Sequence, residues 1–268
     1  AVYDRPIIEH VVKEAIAGGI NEIILVTRSG KEAIENHFDA HYELEHRLEK
    51  RGKKTILGTV KNIIPEHIKV TSIRQADALG LGHAVLCAKH LINHEPFAVL
   101  LPDVLVLDQE SYNENYSFSR LVEAWNVTQI GQVMVERVDS EMIENYGVAD
   151  LNGGEIKPFK SVSLKGLVEK PSYEDAPSDL AVLGRYILPA SALDILENVT
   201  AGVGGEIQLT DALDELIKQE GLNVLQTDAS VFDCGSKQGL LGANLAIGMR
   251  DKETKRYLRE VFGLSTYD

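Results

Sequence analysis

The sequence predicts an α/β protein with a mostly parallel sheet flanked by helices and an inserted antiparallel sheet. In the first half of its 268 residues, short apolar runs alternate with segments of helical periodicity, which is typical of parallel strands covered by helices on both faces. In the second half, short strands follow one another and are separated by turns, of which Asn152-Gly153-Gly154 is the clearest. No Pro/Ser-rich linker or internal repeat interrupts the sequence, so we expect one continuous domain.

The elements of the first half begin with a helix from Pro6 to Ile16. Apolar residues recur there at helical spacing, Pro6 suits the first turn, and Gly18-Gly19 suits the end. The apolar run Glu22–Thr27 ends in a polar turn and therefore predicts a buried strand. The elements predicted after it are, in order, charged helices over 31–51 and 53–64, a strand near Ile68–Ile73, a helix over Leu81–Leu91 and a strand over Phe97–Leu101.

The second half begins with four predicted strands. They span Gln132–Val138, Tyr146–Asp150, Leu164–Glu169 and Ala181–Leu188. Helical periodicity then returns twice, and two short strands and two closing helices follow. These last elements are, in order, helices at Ser191–Leu196 and Gln208–Gln219, strands at Leu222–Gln226 and Val231–Asp233, and helices at Ser236–Met249 and Lys252–Phe262.

The composition excludes several classes of function. A formal net charge of −14 is unfavourable for a nucleic-acid groove, which needs a basic surface, whereas small phosphorylated ligands need only one or two cations. The two cysteines, Cys87 and Cys234, form no disulfide framework, which indicates a reducing, cytoplasmic compartment. No apolar run approaches the ~18 residues of a spanning helix and no signal-peptide pattern opens the sequence, so we expect no membrane association.

A glycine-containing segment follows the predicted strand at Ile68–Ile73. It places Gln75, Gly80, Gly82 and His83 at a strand-to-helix junction. Glycines let backbone amides approach a ligand there, and the amide of Gln75 can read the edge of a base because it holds both donors and acceptors. The alternative is a tight turn that needs the two glycines for its backbone alone.

Two carboxylates occupy equivalent places at strand ends. Asp103 follows the strand at Phe97–Leu101, and Asp233 ends a short strand before Gly235. Ligands of open α/β sheets lie at the carboxyl ends of strands, and Mg²⁺ takes one or two carboxylates together with phosphate oxygens. Both residues are therefore candidate metal ligands, with a turn or a helix cap as the alternative role.

Two further segments carry polar groups at the ends of predicted elements. Glu169 and Lys170 end a strand, where the carboxylate suits sugar hydroxyls and the ammonium suits a phosphate. The alternative for this pair is a solvated strand end. Segment 205–211 opens a helix, for which capping by a residue such as Thr210 is the simpler role.

Taken together, these segments resemble the bacterial UTP–glucose-1-phosphate uridylyltransferases over nearly the whole chain. The matching motifs are, in order, Asp4-Arg5-Pro6-Ile7-Ile8, Ile34-Glu35-Asn36-His37-Phe38-Asp39, Arg74-Gln75, Gly80-Leu81-Gly82-His83-Ala84, Leu101-Pro102-Asp103, Tyr146-Gly147-Val148, Val168-Glu169-Lys170-Pro171, Gly184-Arg185-Tyr186, Gly205-Glu206-Ile207-Gln208-Leu209-Thr210-Asp211 and Asp233-Cys234-Gly235. The resemblance implies a single nucleotidyltransferase domain of Rossmann-like fold. Its expected parts are a nucleotide-binding half at 1–138, a sugar-binding half at 139–235 and C-terminal helices at 236–268.

The activity implied by this resemblance joins UTP and glucose 1-phosphate into UDP-glucose and pyrophosphate, with Mg²⁺ as the cofactor. The family's enzymes are usually homo-oligomers, so we expect a homodimer or homotetramer. The resemblance implies that Asp103 and Asp233 bind the metal and that Lys170 contacts the phosphates, these three being the catalytic residues. The remaining implied contacts are Gln75, Gly80, Gly82 and His83 to the nucleotide and Gly147, Glu169, Gly184 and Glu206 to the sugar.

The resemblance has one departure, at the N-terminus. The family begins with a strand and a Gly-rich loop that carries an Arg and a Lys, and this sequence begins just after them. Because a sheet without a central strand exposes two edges, we expect that the sequence omits this segment. Two other functions stay open, an inactive regulatory paralogue and a nucleotide-sugar binding module. The presence of Asp103, Lys170, Glu206 and Asp233 argues against the inactive paralogue.

Overall fold

The computed structural model describes residues 1–109, 116–202 and 205–263 and confirms the α/β class. A short 3-10 helix lies at Ser140–Asn145. Within the described ranges, no helix is both long and apolar enough to cross a membrane. The α-helices are Ile7–Ala17 (α1), Glu32–Phe38 (α2), Tyr42–Lys50 (α3), Lys54–Lys61 (α4), Leu81–Cys87 (α5), Lys89–Ile92 (α6), Tyr116–Thr128 (α7), Ser191–Asn198 (α8), Leu209–Gln219 (α9), Lys237–Gly248 (α10) and Lys252–Phe262 (α11).

The strands pair into one large sheet and two small ones. They are Glu22–Thr27 (β1), Lys69–Arg74 (β2), Phe97–Leu100 (β3), Val104–Leu107 (β4), Gly131–Arg137 (β5), Gly147–Asp150 (β6), Ser161–Ser163 (β7), Gly166–Glu169 (β8), Leu180–Leu188 (β9), Leu222–Gln226 (β10) and Ser230–Asp233 (β11). The large sheet has the order β7-β10-β5-β9-β6-β8, with β3 also paired to β9. The small sheets are β1–β2 and β11–β4.

The parallel part of the fold is smaller than the sequence pattern indicates. Among the strand pairs of the described residues, β1–β2 and β10–β5 are parallel, and the other six are antiparallel. Parallel neighbours require crossover connections, usually through a helix. The strands β6, β7, β8 and β9 instead follow one another through loops, so β9 runs antiparallel to its neighbours.

Helices cover both faces of the large sheet, as expected. Val133 and Val135 of β5 face one core, which buried side chains of α8 and α9 such as Leu196 complete. Met134, between them, faces a second core that includes Phe118 of α7. Because successive strand residues point to opposite faces, one strand serves both cores.

Several element boundaries differ from the predicted ones. The helix expected over 31–51 is divided into α2 and α3, because Asp39 takes an extended conformation with φ −82° and ψ 157°. The helix expected over 81–91 is divided at Ala88 into α5 and α6. The elements β4, β7 and α7 have no counterpart among the predicted ones.

A bend at Gly184 lets β9 change its neighbour. Ala181 pairs with Val148 of β6, whereas residues 185–188 pair with β3. Gly184 has a φ of +66°, and a Cβ atom there would lie 2.5 Å from the side chain of Leu101. Glycine satisfies both the conformation and the contact. The bend separates the end of β3 from the start of β6, and the candidate site lies between them.

Candidate active site

A cavity of about 360 Å³ lies beside the bend in β9. Its wall includes residues from the loop after β3, the start of β6, the end of β8 and the first turn of α9. The predicted site residues that line it are Asp103, Gly147, Glu169, Lys170, Gly184 and Asp233. The fold therefore brings together residues that are far apart in the sequence, and it combines two acidic side chains with one cation near a third carboxylate.

The two candidate metal ligands meet through the pairing of β4 with β11. Asp233 is opposite Val104 in this antiparallel pair, so it lies beside Asp103, which precedes β4. The Cys234 amide donates a hydrogen bond to the carbonyl oxygen of Asp103, with an N–O distance of 2.8 Å. A Cβ atom on Gly235 would lie 3.0 Å from Asp233 Oδ1 and 3.9 Å from Asp103 Oδ2. Both carboxylates thus face the same small volume next to Gly235.

This pair of carboxylates suits a divalent cation. Among the described residues, neither Asp103 nor Asp233 forms an ion pair with a basic side chain. Burial, followed by the charges of Asp233 and Asp103, raises the pKa of the Cys234 thiol. The described part of the chain holds no group of three or more His, Cys, Asp or Glu ligands. Two carboxylates alone fit a cation that completes its shell with water and phosphate oxygens.

Glu169 lies directly opposite Gly147 on the neighbouring strand. The two residues are partners in the β6–β8 pair, and a Cβ atom on Gly147 would lie 3.2 Å from Glu169 Oε2. The Thr210 hydroxyl donates a hydrogen bond of 2.8 Å to the same oxygen. Thr210 belongs to the first turn of α9 and orients a cavity carboxylate; the N-cap position is held by Gln208. A carboxylate fixed in this way can accept hydrogen bonds from the hydroxyl groups of a sugar.

Lys170 reaches the cavity through an unusual backbone conformation. Its φ is +45°, a region that residues with a Cβ atom seldom occupy, and its amide donates to the carbonyl of Tyr146 at 3.0 Å. Adjacent residues of a regular strand point to opposite faces. Because the chain leaves the strand geometry at Lys170, both Glu169 and Lys170 line the cavity. Such strain is typical of functional sites.

The predicted nucleotide residues lie next to the cavity and do not line it, although Leu81 does. Gln75 Nε2 donates to the carbonyl of Gly80 at 3.1 Å and to His83 Nδ1 at 3.0 Å. Since Nδ1 accepts this hydrogen bond, the neutral imidazole carries its proton on Nε2. These bonds tie Gln75 to the turn and to the helix that follows it.

Packing explains both glycines of this turn. Gly80 has a φ of +95°, and a Cβ atom there would lie 2.7 Å from the carbonyl oxygen of Ile207. The corresponding distance for Gly82 is 2.8 Å, and the amide of Gly82 donates to that oxygen at 2.9 Å. The turn therefore packs against the segment that precedes α9 and is hydrogen-bonded to it. This agrees with the alternative in which the two glycines serve the backbone of a tight turn. A role for Gly80 and Gly82 in nucleotide binding stays a prediction.

Glu206 is the predicted sugar residue that does not line the cavity. It is exposed, and its Oε2 accepts a hydrogen bond of 2.9 Å from Gln208. Gln208 and the next two residues line the cavity instead. The difference arises because the segment before α9 runs along the Gly80 turn and enters the cavity wall only at Gln208.

Three ionisable residues of the cavity wall have no place among the predicted site residues: Glu136, Tyr146 and Tyr186. Burial raises the pKa of Glu136 to about 7. Burial, followed by the charges of Asp233 and Glu136, raises the pKa of Tyr146. Burial also raises the pKa of Tyr186, which is therefore a neutral phenol. Glu136 could have been identified as a candidate site residue from the sequence, because it lies at the carboxyl end of a buried strand.

The sequence profile of the nucleotidyl transferase family matches residues 1–249. Because this match spans nearly the whole chain, the protein belongs to the nucleotidyl transferase family. The UTP–glucose-1-phosphate uridylyltransferase of Haemophilus influenzae is 45% identical over 262 residues, which are 96% of this chain and 89% of that protein.

Solved structures show the same likeness. The UDP-glucose pyrophosphorylase from Acinetobacter baumannii is 43% identical and has a TM-score of 0.90, with 99% of this chain and 90% of that chain covered. A UTP-bound enzyme from the same species is 42% identical, with a TM-score of 0.89 and coverage of 99% and 90%. The Rossmann-like fold expected from the sequence is confirmed.

Proposed function

We propose that this protein transfers a uridylyl group from UTP to glucose 1-phosphate and produces UDP-glucose and pyrophosphate. The relatives at 45% and 43% identity that carry this activity in their names support the proposal. The observation that carries it is a single cavity in which Asp103 and Asp233 share a wall with Glu169 and Lys170. Such a set of groups suits a sugar joined to phosphates and a divalent cation.

The chemistry of the reaction fits these residue types. The nucleophile is an oxygen of a sugar phosphate, which is already ionised at neutral pH, so no general base is required. The remaining task is to position the two substrates and to neutralise negative charge around the α-phosphorus. We assign this task to Lys170 and to the two aspartates with their cation.

Asp103 and Asp233 would hold Mg²⁺ together with phosphate oxygens of the nucleotide. When bound, Mg²⁺ neutralises charge on those oxygens. Both side chains are exposed to the cavity and uncompensated by basic residues in the described ranges, which supports this role. A flexible ammonium such as that of Lys170 is suited to follow charge as it moves from the α-phosphate to the leaving pyrophosphate.

The sugar and the base would lie on two sides of the phosphates. Glu169, oriented by Thr210, would accept from glucose hydroxyls, and the absence of a side chain at Gly147 leaves the space in front of it open. Gln75 would accept from the imide N–H of uracil through its amide oxygen, because its nitrogen already donates to Gly80 and His83. A homodimer or homotetramer and a cytoplasmic location stay predictions.

A direct assay separates this function from its alternatives. The protein is incubated with UTP, glucose 1-phosphate and Mg²⁺, and UDP-glucose and pyrophosphate are quantified by chromatography and by a coupled enzyme assay. Uridylyl transfer predicts equal amounts of both products. A nucleotide-sugar binding module would bind UDP-glucose without producing it, and an inactive paralogue would do neither by itself and would change the rate of an active partner.

A further inference from the structure

A fully buried guanidinium lies beneath the loop that carries Asp103. Arg185, on β9 directly after the bend at Gly184, has no exposed surface, and Glu14 of α1 is 3% exposed. The pair is bidentate: Arg185 Nε donates to Glu14 Oε1 at 2.8 Å, and Nη2 donates to Oε2 at 2.8 Å. The planar fork of arginine matches a carboxylate in this way, and the carboxylate fixes the plane of the guanidinium.

Of the three remaining N–H groups of Arg185, one on Nη1 donates to the carbonyl of Gly184 at 3.3 Å, and the other two bind the Asp103 loop on both sides. Nη1 donates to the carbonyl of Leu101 at 3.0 Å, and Nη2 donates to the carbonyl of Val104 at 2.7 Å. Asp103 lies between these two acceptors in the sequence. Pro102, which precedes it, has no backbone N–H and so cannot donate a hydrogen bond that would hold the loop. One rigid side chain therefore binds the backbone on both sides of Asp103, in addition to the pairing of β4 with β11.

Charge pairing alone does not explain this arrangement. Burial raises the pKa of Glu14 and opposes the stabilising charge of Arg185, and a buried ion pair is often replaceable by apolar residues without loss of stability. Apolar residues, however, would leave the carbonyls of Leu101 and Val104 without donors. The feature that only arginine supplies is a set of hydrogen bonds in one plane to a carboxylate and to two separate carbonyls.

We infer that Arg185 is a positioning residue that, held by Glu14, sets Asp103 beside Asp233 so that the two carboxylates bind one cation. This inference rests on the proposed metal role of Asp103. The partners of Arg185 are Glu14 and backbone carbonyls, so it acts through the loop backbone and not by contact with substrate or cation. Partners that hydrogen-bond a metal ligand directly commonly change metal affinity by about 10–100-fold when they are altered, and we expect an effect on that scale from the loop backbone.

The test compares Arg185→Lys with wild-type protein. A lysine keeps the charge beside Glu14, but a single ammonium has no planar fork with which to reach both carbonyls. We expect the Mg²⁺ concentration for half-maximal rate to rise about 10–100-fold, while the KM for glucose 1-phosphate changes by less than about threefold. Mn²⁺ binding in the presence of UDP-glucose, followed by the electron paramagnetic resonance signal of free Mn²⁺, should weaken by a similar factor.

Leu225→Ala is the matched control, because Leu225 is 1% exposed in β10 and does not line the cavity. It should lower the melting temperature and leave the dependence on Mg²⁺ and the binding of Mn²⁺ unchanged. If Arg185→Lys does not fold, Glu14→Gln provides the same comparison, since it keeps the volume and removes the charge that fixes the guanidinium.

The outcomes of the two proposals are distinguishable. An Arg185→Lys variant with a lower melting temperature but wild-type Mg²⁺ dependence and Mn²⁺ binding would make Arg185 purely structural and would overturn this inference. Wild-type protein that forms no UDP-glucose would overturn the proposed function. In that case the Mn²⁺ titration still reports whether Arg185 controls a cation site at Asp103.

Discussion

Replacement of Gly184 by alanine should destabilise the protein and disturb the cavity. The new Cβ atom would lie 2.5 Å from the Leu101 side chain, and the backbone has a φ of +66°. A positive φ costs a residue with a Cβ atom roughly 1–2 kcal/mol, and overpacking costs about 1–3 kcal/mol more. We therefore expect the free energy of unfolding to fall by roughly 2–5 kcal/mol in urea titrations. Turnover should fall as well, since Leu101 leads into Asp103.

Gly153→Ala separates the two contributions. Gly153 has a φ of +76°, and among the described residues its Cβ atom would meet nothing within 4 Å beyond the immediate chain neighbours. Its variant should lose only the roughly 1–2 kcal/mol of the backbone effect and keep its activity. Equal losses at Gly184 and Gly153 would show that the contact with Leu101 is relaxed at no cost. An unchanged stability of Gly184→Ala would show that neither the positive φ nor the contact with Leu101 requires glycine at this position.

Four further predictions concern the cavity and the turn beside it. Lys170→Ala should raise the barrier by about 3–4 kcal/mol, the scale of one preorganised charge, and Lys170→Arg should restore activity only in part; steady-state rates that match wild type would contradict this. Asp103→Asn and Asp233→Asn should each abolish most turnover at limiting Mg²⁺ and leave the circular dichroism spectrum unchanged, because the carboxamide carries no charge. Gln75→Ala should reduce discrimination between UTP and other pyrimidine triphosphates by about 1–3 kcal/mol, measured as ratios of kcat/KM, and unchanged ratios would leave Gln75 only a structural role. Burial raises the pKa of Glu136 from 4.5 to about 7, so the folded state retains a proton that the unfolded state releases. As pH rises from 4.5 to 7, wild type should therefore lose about 1–3 kcal/mol of stability relative to Glu136→Gln, and parallel pH profiles of urea unfolding would contradict this.

The two aspartates show how far local sequence patterns predict a site. Each was predictable as a carboxylate at the end of an apolar run, because strand ends are where α/β folds bind ligands. Their proximity depends on the antiparallel register of β4 with β11, in which Asp233 is opposite Val104. β4 is a continuous run of four apolar residues, which is consistent with a buried strand, but such a run does not identify its distant partner β11.

The helix α7 was not predicted, although its sequence shows helical periodicity. In α7, Phe118, Leu121, Val122 and Trp125 recur at helical spacing, and three of them are buried. The buried pair of Arg185 and Glu14 is different, because its partners are on β9 and α1 and meet only through tertiary packing. Sequence periodicity describes single elements, whereas such contacts depend on how the elements are assembled.

A crystal structure of the protein with UDP-glucose and Mg²⁺ tests the proposed function most directly. We expect the glucose to lie against Glu169, with a hydroxyl donating to its carboxylate, and the diphosphate to lie between Lys170 and the two aspartates that hold the cation. Uracil should lie at the turn of Gln75 and Gly80. Well-defined density for UDP-glucose at another surface, with the cavity beside Gly184 filled only by water, would show that this cavity is not the substrate site.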